Sequence, residues 1–405
     1  MPFRLPIAHI AALLLTVPIA MSAEAGDYTD SAGRRVTVPD QVSHVLTAGP
    51  TADVLVFALA PDKLMGWSRT PQPPYLPARA KSLPVTGLML GPEAPDAAAT
   101  VSRLHPDLVI AAGMVTPERA ALADQLQQQT GVPWILVDDS MTRTPSLLRS
   151  VGALLGVSSR GEDLATYAEH AVDLLRGRLL IQPAQPRPRV YYARGPGGLE
   201  TALPGSPAAE AIDEAGAINV AGALGRDERV QVTPDQVQGW APDLIIAEQR
   251  GFYDNVRRDP AWSQLAAVRE RKVYLAPSSP FGWIDDPPGI NRLIGLYWLS
   301  DLLYRDATQE DLRDTVSEFY ETFYKVKLTD KELDALVKPA EPPRGADPMQ
   351  ALLGIDTSPI ALPPLGAPLP ATPPPGRRGN SMPTPLAPIA PSSPIAPSPM
   401  AAPKY

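Results

Sequence analysis

The chain reads as an α/β protein of two lobes joined by a single long α-helix. Three observations predict this. A motif is duplicated: LHPDLVIAAG (104–113) and WAPDLIIAEQ (240–249) share Pro-Asp-Leu-[Val/Ile]-Ile-Ala, and in each a helix-like segment stops at Pro-Asp before a short apolar run. Such runs alternate with helical patterns in both halves, as in parallel sheets covered on both faces. Between the halves, from Pro145 to Leu180, the sequence is helical in character almost throughout.

The elements follow in order. HVLTA (44–48) reads as a strand, ADVLVFALA (52–60) as a helix and KLMGW (63–67) as a second strand. After the first motif copy, PERAALADQLQQQTG is a helix stopped at Gly131, and PWILVDD is a buried strand. PSLLRSVGALLG ends at Gly156, where a glycine cap is expected. RGEDLATYAEHAVDLLRGRLL sets Leu164, Tyr167, Ala168, Ala171, Leu174 and Leu175 at the helical period. About 20 helical residues reach some 30 Å, so one crossing makes a stiff hinge. In the second half, RVYYARG is a strand, SPAAEAIDEAG a helix and KVYLAPSS a strand. GINRLIGLYWLSDLLY and SEFYETFYKV are helices packing on that lobe, with Trp298 in the core.

The ends differ from the body. Arg4, the apolar run Ile7–Ala20 and Ala23-Glu24-Ala25 together make a cleavable secretion signal. The run is shorter than the roughly 20 residues a bilayer requires. From Pro339 the chain is proline-dense and too poor in apolar surface to fold, which predicts a disordered, partly polyproline-II tail. The predicted organisation is a signal peptide (1–25), an N-terminal α/β lobe (26–143), a linking helical segment (144–183), a C-terminal α/β lobe (184–338) and the tail (339–405).

Composition narrows function. The chain has 405 residues, 44% of them hydrophobic, and a net charge of −8, which argues against nucleic acid as partner. It has no cysteine, so neither a disulfide framework nor a lipid-modified cysteine is expected. His44, His105 and His170 are scattered, which argues against a bare transition-metal site. No nucleophile–base motif appears, and ARGPGG (193–198) lacks the Lys-Ser/Thr of a phosphate loop. No catalytic residue and no cofactor are expected.

In open α/β sheets, ligands lie beyond the carboxyl ends of the strands. Those ends supply Trp67, Arg69 and Met114 in the first lobe, and Tyr192, Arg194, Arg250, Tyr253, Phe281 and Trp283 in the second, with Phe281 alternatively a cap on the core; Glu200, in GGLETALPGS, either pairs with Arg194 or contacts the ligand. Phe281 and Trp283 stand in PFGWIDDPPG (280–289), a loop whose prolines exclude regular structure. A tryptophan there suits a flat ligand, and arginines grip anionic oxygens in pairs.

With YTDSAGRRVTVPDQVSHVL (28–46), LAPDKLMGWSR (59–69), the two Pro-Asp motifs, TGVPWILVDD and GAINVAG (216–222), residues 27–325 resemble the helical-backbone (class III) periplasmic binding proteins. These feed ABC importers of ferric siderophores, haem and cobalamin. The resemblance implies two Rossmann-like lobes, a cleft between them and limited closure. It implies capture of a small-molecule metal chelate, foremost a ferric siderophore, by a periplasmic monomer. The cargo then passes to an inner-membrane permease and its ATPase. Haem, cobalamin, a nickel or cobalt chelate, or an oxyanion such as molybdate remain open, as do an exported enzyme and a cell-envelope scaffold acting through the tail. In that family one acidic residue per lobe docks on permease arginines. By position these are Asp235 and, in the first lobe, Ala99, so Asp96 or Glu93 is the expected substitute there.

Overall fold

The structure, a computed structural model, describes residues 25–337 apart from 72–73, 92–93, 95, 182–185, 227–228 and 305–311. Residues 1–24 of the predicted signal segment, the predicted tail and Glu93 lie outside the described residues, whereas Ala25, placed in that segment, begins the first strand.

Strands β1 (Ala25–Thr29) and β2 (Arg35–Pro39) form the antiparallel opening hairpin. Its turn is stitched by buried Asp30, which accepts from the Ala32 and Arg34 amides and from the Leu136 amide across the fold. The N-terminal sheet is parallel, in the order β3 (Val45–Thr47), β4 (Leu108–Ala112), β5 (Trp134–Val137). Every residue of β5 is buried, and so are Leu108 to Ala111 of β4. Strands covered on both faces carry no polar alternation, which is why the sequence shows continuous apolar runs.

KLMGW does not form the strand expected of it. It makes only isolated bridges, Leu64 to Val45 and Trp67 to Val85. Its partner segment carries Pro84, which has no N–H to continue a ladder.

The C-terminal sheet contains β6 (Arg189–Ala193), β8 (Ile218–Asn219), β10 (Leu244–Ala247) and β11 (Val273–Leu275), in the parallel order β11-β10-β6-β8. A short antiparallel arm pairs β7 (Glu200–Ala202) with β9 (Arg229–Gln231). Between the sheets, a helix over Thr144–Leu154 stops before Gly156, whose φ of 69° only glycine adopts freely. The linking helix Ser158–Ile181 follows, 24 residues or about 36 Å long. Leu164, Ala168, Ala171 and Leu175 are buried along it, as the period predicted.

One apolar cluster runs through both halves, so the lobes are not insulated from each other. Its aromatic centre corrects the reading of the PFGW loop. Trp283 is 0% exposed, and its indole N–H donates to the Tyr320 hydroxyl at 3.2 Å. Phe281, 5% exposed, packs against Phe57, Trp67 and Tyr324 with ring centroids 5.5–6.2 Å apart. The loop is pressed onto the helix Arg292–Leu303 at Gly295, where a Cβ would stand 1.9 Å from the Trp283 carbonyl oxygen. The rigid loop thus buries Trp283 to seal one half of the core against the other, while Phe281 caps that core and edges a smaller cavity beside the cleft.

Candidate ligand cleft

A cavity of about 630 Å³ opens between the carboxyl ends of the two sheets. From the first half it receives Pro50 and Thr51, which begin the helix Pro50–Leu59 after β3. Gly113 and Met114 follow β4, and Asp139 follows β5. From the second half come Arg194 after β6, the 206–208 turn and the 285–288 loop. The sequence rule about strand ends therefore finds the right place. The chemistry it gathers there differs in part from expectation.

The cation best placed to meet a ligand is Arg119, which sequence reasoning did not single out. It lies in the first turn of the helix Pro117–Thr130, N-capped by the Thr116 hydroxyl. It is half-buried on the cavity wall, and burial lowers its pKa against a smaller opposing pull from Asp139. Among the described residues its guanidinium donates to the Ala112 carbonyl, at a long 3.4 Å. Among the described residues no carboxylate lies within ion-pair distance of it. Gly113 makes room for the group: at a φ of 131°, a Cβ there would sit 3.0 Å from Arg119 Nη1. A half-buried guanidinium with no direct ion pair, balanced only at a distance by Asp139, is costly to keep, so the arrangement is open to an anion. The signal was present in the sequence, because a helix opening directly after β4 must turn its first residues towards the strand end.

Arg194, by contrast, is not available. It is 6% exposed and surrounded by Glu200, Glu248 at 3.0 Å and Asp285 at 2.8 Å. Burial works against its charge, but Asp285 and the other anionic neighbours outweigh it and raise its pKa. The expected grip of Arg194 on a ligand is replaced by an internal ion cluster, in which Glu200 takes the first of its two expected roles, as partner of Arg194. Tyr192 also departs from expectation: it is 1% exposed and belongs to the core beneath Arg194.

Arg69 spans the cleft by pairing with Asp286, 217 residues away. Both partners are about half exposed, so the pair contributes at most about 1 kcal/mol. Trp67 is buried, with its N–H on the Ala80 carbonyl at 2.8 Å. It edges only a smaller neighbouring cavity with Phe281. Met114 is exposed at the main cavity. Arg250 is exposed and pairs with Asp254, and Tyr253 stacks under Arg257; neither lines the cavity. Asp235 and Asp96 are both exposed at helix starts, on Pro234–Trp240 and Ala97–Leu104.

A second unpredicted group closes the floor. Arg292 is fully buried and donates to the Asp139 carbonyl oxygen, to Glu210 at 2.6 Å and to the Pro207 carbonyl at 2.9 Å. Glu210 in turn accepts from the Met141 amide at 2.8 Å. One arginine and one glutamate thus tie the two halves together beneath the ligand space.

Asp53 lies under the smaller cavity, 2% exposed, accepting from Thr47, the Ser68 amide and the Ser68 hydroxyl. Burial pushes its carboxyl up to about 6, with the Ser68 and Thr47 hydrogen bonds opposing. The folded chain therefore holds this proton more tightly than the unfolded chain, where the carboxyl titrates near about 3.9. Stability from this group is greatest below about pH 4 and is lost as pH rises to about 6. Relative to the wild type, Asp53→Asn gains up to about 3 kcal/mol between pH 4 and pH 7 in urea unfolding. A difference between the two proteins that stays flat with pH would refute the assignment.

Comparison with known proteins agrees with this geometry. Residues 56–280 match a family model described as periplasmic binding protein. The molybdate-binding protein MolA of Haemophilus influenzae is 30% identical over 169 residues, 41% of this chain; the match spans about half the length of that relative, 47%. An ABC transporter solute-binding protein from Sulfurospirillum deleyianum superposes with a TM-score of 0.68 at 25% identity, covering 77% of this chain and 99% of the other. The structure of Haemophilus influenzae MolA bound to molybdate superposes with a TM-score of 0.64 at 20% identity, covering 75% and 99%. Among the described residues no helix is long and apolar enough to cross a membrane. The relatives are binding proteins of transporters and not enzymes. With parallel sheets in both halves, a cleft at their carboxyl ends and a family match over more than half its length, the chain belongs to the periplasmic binding protein family.

Proposed function

We propose that this chain captures a metal oxyanion of the molybdate class and hands it to an inner-membrane ABC permease. The observation that carries the reading is Arg119, a half-buried guanidinium on the cavity wall with no carboxylate partner among the described residues. Pro50 and Thr51, at the start of the helix Pro50–Leu59, line the same cavity, and a helix N-terminus favours negative charge. Arg69 and Arg229 also line this space, the first paired with Asp286 and the second 3.9 Å from Glu200, and Asp139, Asp285 and Asp286 line it too, which leaves Arg119 as the lining cation without an ion pair among the described residues. The resemblance to MolA points the same way. In this reading the signal segment is removed, the protein works in the periplasm, and Asp235 and Asp96 face the permease.

The test is calorimetric titration with molybdate, tungstate, sulfate and phosphate. Molybdate and tungstate bind, and Arg119→Ala weakens them by about 10- to 100-fold, the worth of a charge-assisted hydrogen bond. Unchanged affinity in the variant overturns the reading.

The second reading is a ferric siderophore, and cavity size favours it. A bare oxyanion has five heavy atoms and needs on the order of 150 Å³ at about 30 Å³ each, well below the 630 Å³ present. Tight binding of a ferric chelate with none of molybdate would select it.

A further inference from the structure

The cavity wall that holds Arg119 also holds a carboxyl that is only weakly paired. Asp139 follows β5 and lines the cavity, yet only 4% of its side chain is exposed. Arg292 lies beside it, but gives its shorter hydrogen bonds elsewhere: to the Asp139 backbone carbonyl, to Glu210 at 2.6 Å and to the Pro207 carbonyl at 2.9 Å. It reaches the Asp139 carboxylate only at 3.4 Å. Four charged groups act on this carboxyl. Arg292 faces it from the helix Arg292–Leu303, Glu210 from the helix Glu210–Glu214 and Arg119 from the helix Pro117–Thr130, and Asp138 precedes it in the chain. The other charged groups of the cavity are engaged with one another: Arg194 with Asp285, Arg69 with Asp286. Burial raises the pKa of Asp139; Arg292 opposes the rise, Asp138 adds to it and Arg119 opposes it more weakly.

A dianion seated against Arg119 brings two negative charges to a wall whose one unpaired cation, among the described residues, can balance a single charge. It also sets its charge beside the Asp139 carboxylate. Like charges that share a partly desolvated site drive one of them to take a proton. A protonated carboxyl is a donor, and the oxygens of an oxyanion are acceptors. From this we infer that Asp139 is the proton-holding residue of the cleft: the cavity takes its oxyanion together with one proton from solvent, held on the Asp139 carboxyl and donated to a ligand oxygen. The inference rests on the anion site proposed above and adds the second positive charge of that site. Dianion and proton together bring one net negative charge, which Arg119 neutralises. The sign of the pH dependence follows. The bound anion raises the proton affinity of Asp139, so binding is strongest at acidic pH and weakens as pH rises past the pKa of the free carboxyl.

The test is calorimetric titration of the whole chain with molybdate, a dianion in neutral water, in buffers of different ionisation enthalpy, which counts the protons taken up. In the wild type, uptake approaches one proton per molybdate within the range from about pH 5 to pH 8, and affinity there falls by up to about tenfold per pH unit. Asp139→Asn abolishes the uptake and flattens the pH profile, and its affinity at the alkaline end equals or exceeds that of the wild type. Asp139→Ser serves if the first variant misfolds by circular dichroism, and the proton count of the wild type needs no variant. Asp53→Asn removes the other buried carboxyl beside the cleft whose proton is held near neutrality, and it leaves the uptake in place. Molybdate that binds through Arg119 without a proton overturns the inference and leaves the anion site standing. Uptake that survives in the Asp139 variants, or that vanishes in Asp53→Asn, overturns it too. Failure of molybdate to bind, or indifference of its affinity to Arg119→Ala, overturns the anion site and this inference together.

Discussion

Arg292→Ala lowers unfolding free energy by about 3–5 kcal/mol in urea titration, the usual cost of breaking a buried ion pair by removing one partner. The reason lies in what remains. Glu210 and Asp139 lose the cation that opposes their burial, and the carbonyls of Gly289, Pro207 and Asp139 lose a donor. Burial already raises the pKa of both carboxyls, with Arg292 as the main restraint on each. Without it, both rise further. The deficit of the variant is therefore smallest at acidic pH, where protonation relieves the stranded charges, and it grows as pH rises towards 7. Arg292→Ala combined with Glu210→Gln should cost less than the sum of the two single changes, because one interaction cannot be lost twice. A loss below about 1 kcal/mol, or strict additivity, would show that the buried network does not hold the halves together.

The same residue shows what the sequence could and could not reveal. The fold was legible because buried parallel strands leave an unmistakable trace: Pro-Asp-Leu-Val-Ile-Ala cannot be a solvent-facing segment, and its repetition implied two sheets. The long helix was legible from its period, and the stop at Gly156 from glycine's freedom at positive φ. Cleft location followed from topology alone. Side-chain direction did not. Arg194 and Arg119 both lie near strand ends, but one is ion-paired with three carboxylates and the other, among the described residues, with none. Only the third dimension brings Glu248 and Asp285 beside Arg194. Arg292 was hidden inside a helix whose apolar period described its neighbours well. Nothing local marks the single charged residue that turns inward. Trp283 failed for a related reason: the reading assumed that an aromatic on an irregular loop faces a ligand, whereas here the loop itself is packed against a helix.

That correction has a measurable consequence. Trp283→Ala removes a fully buried indole and costs about 3–5 kcal/mol of stability, as large-to-small changes in tight cores do. The site cannot easily collapse, because the Trp283 backbone is clamped against Gly295 and the Asn291 amide donates to the carbonyls of Gly282 and Pro287. Trp283→Phe keeps most of the volume and loses only the N–H to Tyr320, whose own hydroxyl still donates to the Ser279 carbonyl. It should cost about 1–2 kcal/mol. In neither variant does ligand contact change directly. Anion affinity, measured well below the unfolding midpoint, should stay within about twofold for Trp283→Phe while urea unfolding shifts. The opposite pattern, with stability unchanged and ligand binding abolished, would return Trp283 to the cleft and move the ligand space away from Arg119. The two substitutions thus discriminate between an aromatic that binds cargo and one that seals the two halves of the core against each other.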